Sequence, residues 1–340
     1  MNIELLRRPQ GTKLNIWTAF LAKAGLTADE NLSQTVLIWD DDALIATGSR
    51  EENILKCIAV DEARRGEDLT ATVLTTLRKE AFKEGYKHLF LYTKPANKYL
   101  FSSLFFYPIA QTHDVLLMEN QRNGILDFLK NLSPGPDTGL DNTCSNSNIQ
   151  KSVGAIVMNA NPFTLGHRYL IEQAAAECDL LYVFVLSEDK SYFSAADRME
   201  MVRLGTRDLS NVKVLPTGPY LISSATFPTY FIKDRENAAR IQCLLDIEIF
   251  IRYFVPHFHI THRYVGTEPL SPMTGQYNCA LQAHLPDKGI ILKEIPRYEA
   301  EGSPVSASTV RSHLESGNIK ALKALLPETT MEYLQANALL

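Results

Sequence analysis

Long apolar runs are missing from this chain of 340 residues. No stretch approaches the roughly 18 uninterrupted apolar residues of a membrane-spanning helix, so no membrane partner is expected. The start, MNIELLRRPQGTK, lacks the apolar core and small-residue cleavage site of a secretory signal. An excess of basic charge is also missing. The formal net charge is −5, which argues against a non-specific nucleic-acid binder while leaving room for a local cluster of Arg and Lys. Cysteine is sparse: Cys57, Cys144, Cys178, Cys243 and Cys279 are odd in number, widely spaced and without a C-x-x-C pair. That usage fits reduced thiols in the cytoplasm and provides neither a disulfide framework nor a metal site. His257, His259 and His262 stand close together, but their spacing matches no H-E-x-x-H helix and no tetrahedral set with cysteine, so no metal ligands are assigned. Nucleophile elbows of the G-x-S-x-G type and Walker A loops are absent as well.

What remains is an ordinary globular composition, 45% hydrophobic and 21% charged, on a chain long enough for two cores. The segment from Ser133 to Asn148, SPGPDTGLDNTCSNSN, is rich in Pro, Gly, Ser and Asn and has no apolar periodicity. It reads as a linker over residues 133–148, between an N-terminal domain over 1–132 and a C-terminal domain over 149–340. In the first, strand-like runs are predicted at Gln34 to Trp39, Ala43 to Gly48, Ile54 to Val60, His88 to Thr93 and Asp114 to Glu119. A helix is predicted from Leu69 to Glu84 and a short one from Asn97 to Leu104, a mixed α+β plan. In the second, strands at 153–158, 180–186, 212–215, 260–265 and 289–295 alternate with helices at 166–177, 194–206, 235–254 and 306–316. Apolar strands separated by helices predict an α/β fold, a parallel sheet covered on both faces. In such a fold, ligands sit at the carboxyl ends of the strands.

Four segments converge on that edge. Asn161-Pro162-Phe163-Thr164-Leu165-Gly166-His167 links the first strand to a helix. Unpaired N–H groups and the helix dipole favour an anion there, Gly166 lets a ligand approach the backbone, and Thr164 and His167 are spaced to reach it together. SYFSAADRMEMVRLG opens a helix at Ser194 with Asp197 three residues on, close to a capping box, and carries Arg198 in its first turn. Val265-Gly266-Thr267-Glu268 ends a strand with a glycine and an acid, a composition suited either to a plain turn or to a ribose or base. VSASTVRSHL begins a helix with Ser306 and Ser308 and places Arg311 a turn later, a second anion site. Phe227, Tyr230 and Phe231 read as core or substrate-wall residues.

The T-x-G-H loop, Arg198 and the S-x-S-x-x-R segment resemble the nucleotidyltransferase superfamily over roughly residues 150–325. The resemblance implies that Thr164 and His167 contact ATP phosphates, with His167 stabilising charge on the α-phosphate, and that Ser306, Ser308 and Arg311 meet the β- and γ-phosphates. It places Arg198 in the catalytic set and Asn161, Pro162, Phe163, Gly166, Gly266 and Glu268 around the nucleotide. The N-terminal part resembles a degraded GNAT-type acetyltransferase domain. The pyrophosphate turn of that family, R-G-x-G-x-G/A, is here Arg65-Gly66-Glu67-Asp68-Leu69-Thr70, and a carboxylate in place of the second glycine repels a pyrophosphate.

Both parts in this order, together with the runs HLFLYTKPANKYLFSSLFFYPIA and NPFTLGHRYLIEQAA, resemble the citrate lyase ligase family over nearly the whole chain. That resemblance implies a cytoplasmic enzyme that uses ATP with Mg²⁺ to activate acetate as acetyl-adenylate. It then acetylates the thiol prosthetic group on the acyl carrier subunit of citrate lyase. Three other readings of the same residues are an adenylyltransferase acting on a phosphate acceptor, an acetate ligase acting on tRNA, and an acetyl-CoA-dependent acetyltransferase with a nucleotide-sensing C-terminal part. The N-terminal domain, the acidic net charge and the broken pyrophosphate turn count against them in that order.

Overall fold

A computed structural model describes residues 1–132, 151–189, 191–221, 235–268, 272–300 and 302–340. The predicted linker, residues 133–148, and Phe227, Tyr230 and Phe231 lie outside the described residues. The chain divides into two compact units. One holds Met1–Ile125 with the described part of Phe227–Glu248; the other holds Leu126–Thr226, as far as described, and Ile249–Leu340.

The N-terminal elements are β1 (Asn2–Leu6), α1 (Gly11–Lys23), β2 (Gln34–Asp40), β3 (Ala43–Glu51), β4 (Ile54–Val60), α2 (Leu69–Lys83), β5 (Phe90–Thr93), α3 (Lys98–Ser103), β6 (Tyr107–Gln111), β7 (Leu116–Glu119) and α4 (Gly124–Leu132). β1 to β7 form one sheet in the order β1-β2-β3-β4-β5-β7-β6. α2 buries Leu69, Val73, Leu74, Leu77 and Ala81, an apolar stripe at helical spacing, in one core with Val36, Ile38, Ala46 and Leu91. The elements left unassigned by the sequence reading are β1, α1, β6 and α4. α1 sinks Trp17 and Leu21 completely, and the Trp17 indole N–H donates to Thr47 Oγ1 at 3.0 Å, which satisfies its polar edge inside the core.

β4 and β5 run parallel but pair only at Ile54↔Phe90 and Leu55↔Leu91. A cavity of about 1000 Å³ lies beside them, lined by Ile58, Val60, Leu91, Arg64, Arg65 and Gly66 among others. The pyrophosphate-like turn forms part of its wall. Arg64 pairs with Asp40 and with Glu67, and Arg65 with Glu62 at 2.7 Å. Asp68 precedes α2 in the left-handed region, φ +54°, and caps nothing with its side chain. Arg64 and Arg65 are thus paired with nearby carboxylates, Asp40, Glu62 and Glu67.

The C-terminal elements are β8 (Val153–Met158), α5 (Leu165–Glu177), β9 (Leu180–Val185), α6 (Ala195–Thr206), β10 (Val212–Pro216), α7 (Arg235–Ile249), α8 (Val255–Phe258), β11 (His262–Gly266), α9 (Pro272–His284), β12 (Ile291–Ile295), α10 (Ala307–Glu315), α11 (Ile319–Leu325) and α12 (Glu328–Ala336). The sheet is parallel throughout, ordered β10-β9-β8-β11-β12. From β8 the chain winds outward through β9 and β10, then crosses to β11 and β12. The crevice between β8 and β11 is therefore the topological switch point, where open parallel sheets bind ligands.

The helix predicted over 235–254 is broken: α7 stops at Ile249, a wide π-turn spans Phe250–Phe254, and α8 follows. Through Glu248, α7 groups with the first unit, although the linear reading placed it in the second. Asp246 on α7 is close enough to Tyr92 of β5 to add to the effect of burial in pushing that phenol upward.

Candidate active site

Thr164 has extended backbone, φ −116° and ψ 168°, and caps α5. Its Oγ1 accepts from the His167 backbone N–H at 3.3 Å, while the Thr164 backbone N–H donates to His167 Nδ1 at 3.1 Å. This is a reciprocal capping box with histidine in the place usually held by Glu or Gln. Because Nδ1 accepts an N–H, the ring proton belongs on Nε2. Burial and the nearby charge of Arg297 push the His167 imidazole down to about 4. At neutral pH the ring is therefore uncharged and acts as a hydrogen-bond donor through Nε2.

Around this ring lies a cavity of about 370 Å³ at the carboxyl ends of the strands. It gathers Thr164, Gly166, His167, Gly266, Glu268, Ser306, Ser308 and Arg311, eight of the twelve residues anticipated from sequence. Ser306 caps α10, its Oγ accepting from the Ser308 N–H at 3.2 Å, and the two hydroxyls are 2.5 Å apart. Arg311, one turn on, donates to the Asn161 carbonyl at 2.7 Å and so ties α10 to the loop before α5. The cavity consequently meets two helix N-termini, each with hydroxyls and N–H groups. A side chain on Gly166 would sit 3.4 Å from the Val305 carbonyl, so glycine keeps the α5 entrance low beneath the α10 loop.

Four anticipated residues stand elsewhere. Phe163 is fully buried and packs its ring against Gly205 of α6, where an added Cβ would come within 2.3 Å of the ring. Pro162 is buried beside it. Asn161 uses its Oδ1 to accept from the Phe193 N–H at 3.0 Å. These three shape the loop from behind. Arg198 is also fully buried and does not line the cavity. It donates to the carbonyls of Phe193 (3.2 Å), Asn159 (3.0 Å), Leu186 (2.8 Å) and Glu188, and to Asn159 Oδ1 (2.6 Å). Its guanidinium ties α6 to the loops after β8 and β9.

Arg297 was missed by sequence reasoning. It follows β12 after Pro296, in a segment without a motif, and only the fold brings it to the cavity beside His167. Tyr277, Asn278 and Tyr298 also line the cavity. Asn278 on α9 donates to the Gly266 carbonyl at 3.0 Å and fixes the end of β11.

The sequence profile described as the citrate lyase ligase C-terminal domain matches residues 153–334. The chain is 40% identical over 320 residues to the citrate (pro-3S)-lyase ligase of Klebsiella pneumoniae, covering 93% of this chain and 90% of that protein. It is 37% identical over 336 residues to the ligase of the same name from Escherichia coli K12, covering 97% and 92%. Among solved structures, a GNAT-family acetyltransferase from Staphylococcus aureus aligns with 36% of this chain and 99% of its own length, at 13% identity and a TM-score of 0.31.

Proposed function

The chain belongs to the citrate lyase ligase family, and from that premise we propose that it activates citrate lyase through an acetyl-adenylate. It is a ligase that uses ATP. In the reading favoured here, an acetate oxygen attacks the α-phosphorus of ATP, the new P–O bond forms, and the bond to pyrophosphate breaks in line. The thiol on the acyl carrier subunit of citrate lyase then gives up its proton, attacks the acyl carbon and displaces AMP.

The observation that carries this reading is the neutral His167, held by Thr164 at the switch point between two helix N-termini. Negative charge grows on the α-phosphate as the oxygen attacks, and a fixed Nε2–H donor stabilises it without reorganisation. Ser306, Ser308 and the α10 N-terminus supply donors for the outgoing pyrophosphate. Among the described residues the cavity is lined by no Cys, and Ser306 and Ser308 are engaged with each other. Direct displacement needs no protein nucleophile, since positioning and electrostatics suffice. The catalytic domain in this reading is 149–340, and domain 1–132 serves the carrier.

ATP fits the paired anion cradles. Mg²⁺ would neutralise the phosphates. Glu268 is engaged with Arg297, and no group of three or more His, Cys, Asp or Glu that could hold a metal occurs among the described residues. The ion would therefore be held through phosphate oxygens and water, as Mg²⁺ commonly is.

The test is ATP–pyrophosphate exchange measured with acetate, propionate, phosphopantetheine and nicotinamide mononucleotide. Exchange driven by acetate supports the reading. Exchange driven by either nucleotide-like acceptor instead would favour an adenylyltransferase.

A further inference from the structure

The cavity beside His167 has an uneven charge. Among the described lining residues three are arginines, Arg263, Arg297 and Arg311, against one carboxylate, Glu268. These cations have different work. Arg263 has its guanidinium carbon 4.8 Å from the centroid of the Phe250 ring, and Arg311 reaches the Asn161 carbonyl. Arg297 is held to a single short segment. Its backbone N–H donates to Thr267 Oγ1 at 3.1 Å, its Nε–H to the Thr267 carbonyl at 3.1 Å, and its Nη2 pairs with Glu268. Among the described residues, Nη1 has no acceptor.

That arrangement fixes a planar cation at the carboxyl ends of β11 and β12 and leaves one edge for a ligand. The pairing with Glu268, whose side chain is 7% exposed against 26% for Arg297, orients the guanidinium without covering it. Neutralising Glu268 alone would not require Arg297 to bond the hydroxyl and the carbonyl of Thr267 as well. Two attachments of the guanidinium, at Nε and Nη2, with a third from the backbone N–H beside it, hold the fork in one geometry toward an oxyanion. We propose that Arg297 binds the anionic reacting group beside His167, with Thr267 and Glu268 as its positioning partners. The ligand chemistry is an oxyanion, supplied either by the substrate carboxylate or by the nucleotide phosphate. Naming that anion a substrate rests on the function proposed above; the anion site itself does not.

Placement beside His167 gives the role an independent readout. A fixed positive charge disfavours the imidazolium, and Arg297 is the charge that acts on His167 after burial. Replacing Arg297 with Gln should move the His167 titration upward, toward its ordinary range, in an NMR pH series.

The experiment uses the full chain with Arg297→Gln, Arg297→Lys and Glu268→Gln. Calorimetry with a non-hydrolysable ATP analogue and with acetate in its presence measures binding without turnover. Arg297→Gln is expected to weaken one of the two by at least about tenfold, as loss of a charge-assisted pair does. Weakened acetate identifies the carboxylate as the anion, and weakened analogue identifies the phosphate. Arg297→Lys should recover only part of the affinity, because an ammonium cannot reproduce the fork. Glu268→Gln should give a smaller loss in the same ligand. Unchanged affinity for both ligands in a folded Arg297→Gln protein, or a His167 titration that does not move, overturns the proposal. Absent acetate-dependent exchange in the wild type would overturn the proposed function and leave this binding result standing.

Discussion

Oγ1 of Thr164 lies 2.9 Å from Nδ1 of His167, and the two residues cap α5 for each other. The same pair starts the helix through Oγ1 and selects the ring tautomer through the Thr164 backbone N–H. Thr164→Ala removes the hydroxyl but leaves the Thr164 backbone N–H bond to the ring. The expected cost is about 1 kcal/mol of stability, the usual worth of an N-cap, together with a loss of roughly tenfold in exchange rate. Urea unfolding and the exchange assay, read side by side, check both. Unaltered stability would remove the capping role.

The lowered imidazole of His167 has a consequence for acid stability. Its folded value is about 4 against an ordinary 6.5, so between those values the unfolded chain binds more protons and stability falls as pH falls. Above pH 6.5 the ring costs nothing, and the penalty is complete below the folded value. Relative to His167→Asn, the wild type is expected to lose up to about 3 kcal/mol across that window. Unfolding curves of both proteins at several pH values test this. A constant difference between them would show an ordinary histidine.

Gly205 sits inside α6, where alanine would normally be the better helix former by about 1 kcal/mol. Here an added methyl carbon meets the Phe163 ring at 2.3 Å. Overpacking of this kind costs about 1–3 kcal/mol and wins. Gly205→Ala should lower the melting temperature and displace the Thr164 loop, reducing exchange. A more stable variant with full activity would contradict the packing.

Arg198 is expected to behave as a clamp. Arg198→Ala leaves several buried carbonyls without donors, and the stability loss should exceed about 3 kcal/mol. Arg198→Lys should be milder, with nucleotide affinity close to wild type at temperatures where it is folded. A variant of unchanged melting temperature but abolished exchange would return Arg198 to the reacting centre.

How legible the site was depends on what each residue does with its own neighbours in sequence. Thr164, His167, Ser306 and Ser308 act through helix caps, which are local, so the spacing alone placed them. The same is true of Ser194, whose Oγ accepts from the Asp197 N–H at 3.1 Å. The partners of Arg198 and the place of Arg297 at the cavity were not legible, because a guanidinium's partners are set by the fold. One spends its donors on loops that precede it by up to 39 residues; the other meets Thr267, 30 residues upstream.

The fold shows the same division. Parallel strands such as β8 and β9 are apolar on both faces and announce themselves. β1, by contrast, is an edge strand with mostly exposed residues. α1 keeps only Trp17 and Leu21 fully buried, and β6 is interrupted at Pro108, where its register shifts. None of these has a clean period. The break at Phe250–Phe254 was hidden because the apolar pattern continues through it, while Pro256 lies just beyond.

The central claim is that His167 stabilises transfer of AMP to acetate. ATP–pyrophosphate exchange, run with and without acetate on the wild type and His167→Ala, tests it most directly. The predicted result is acetate-dependent exchange in the wild type, reduced by at least about two orders of magnitude in the variant, the loss that follows removal of one transition-state donor. Wild-type exchange in a folded His167→Ala protein would contradict it.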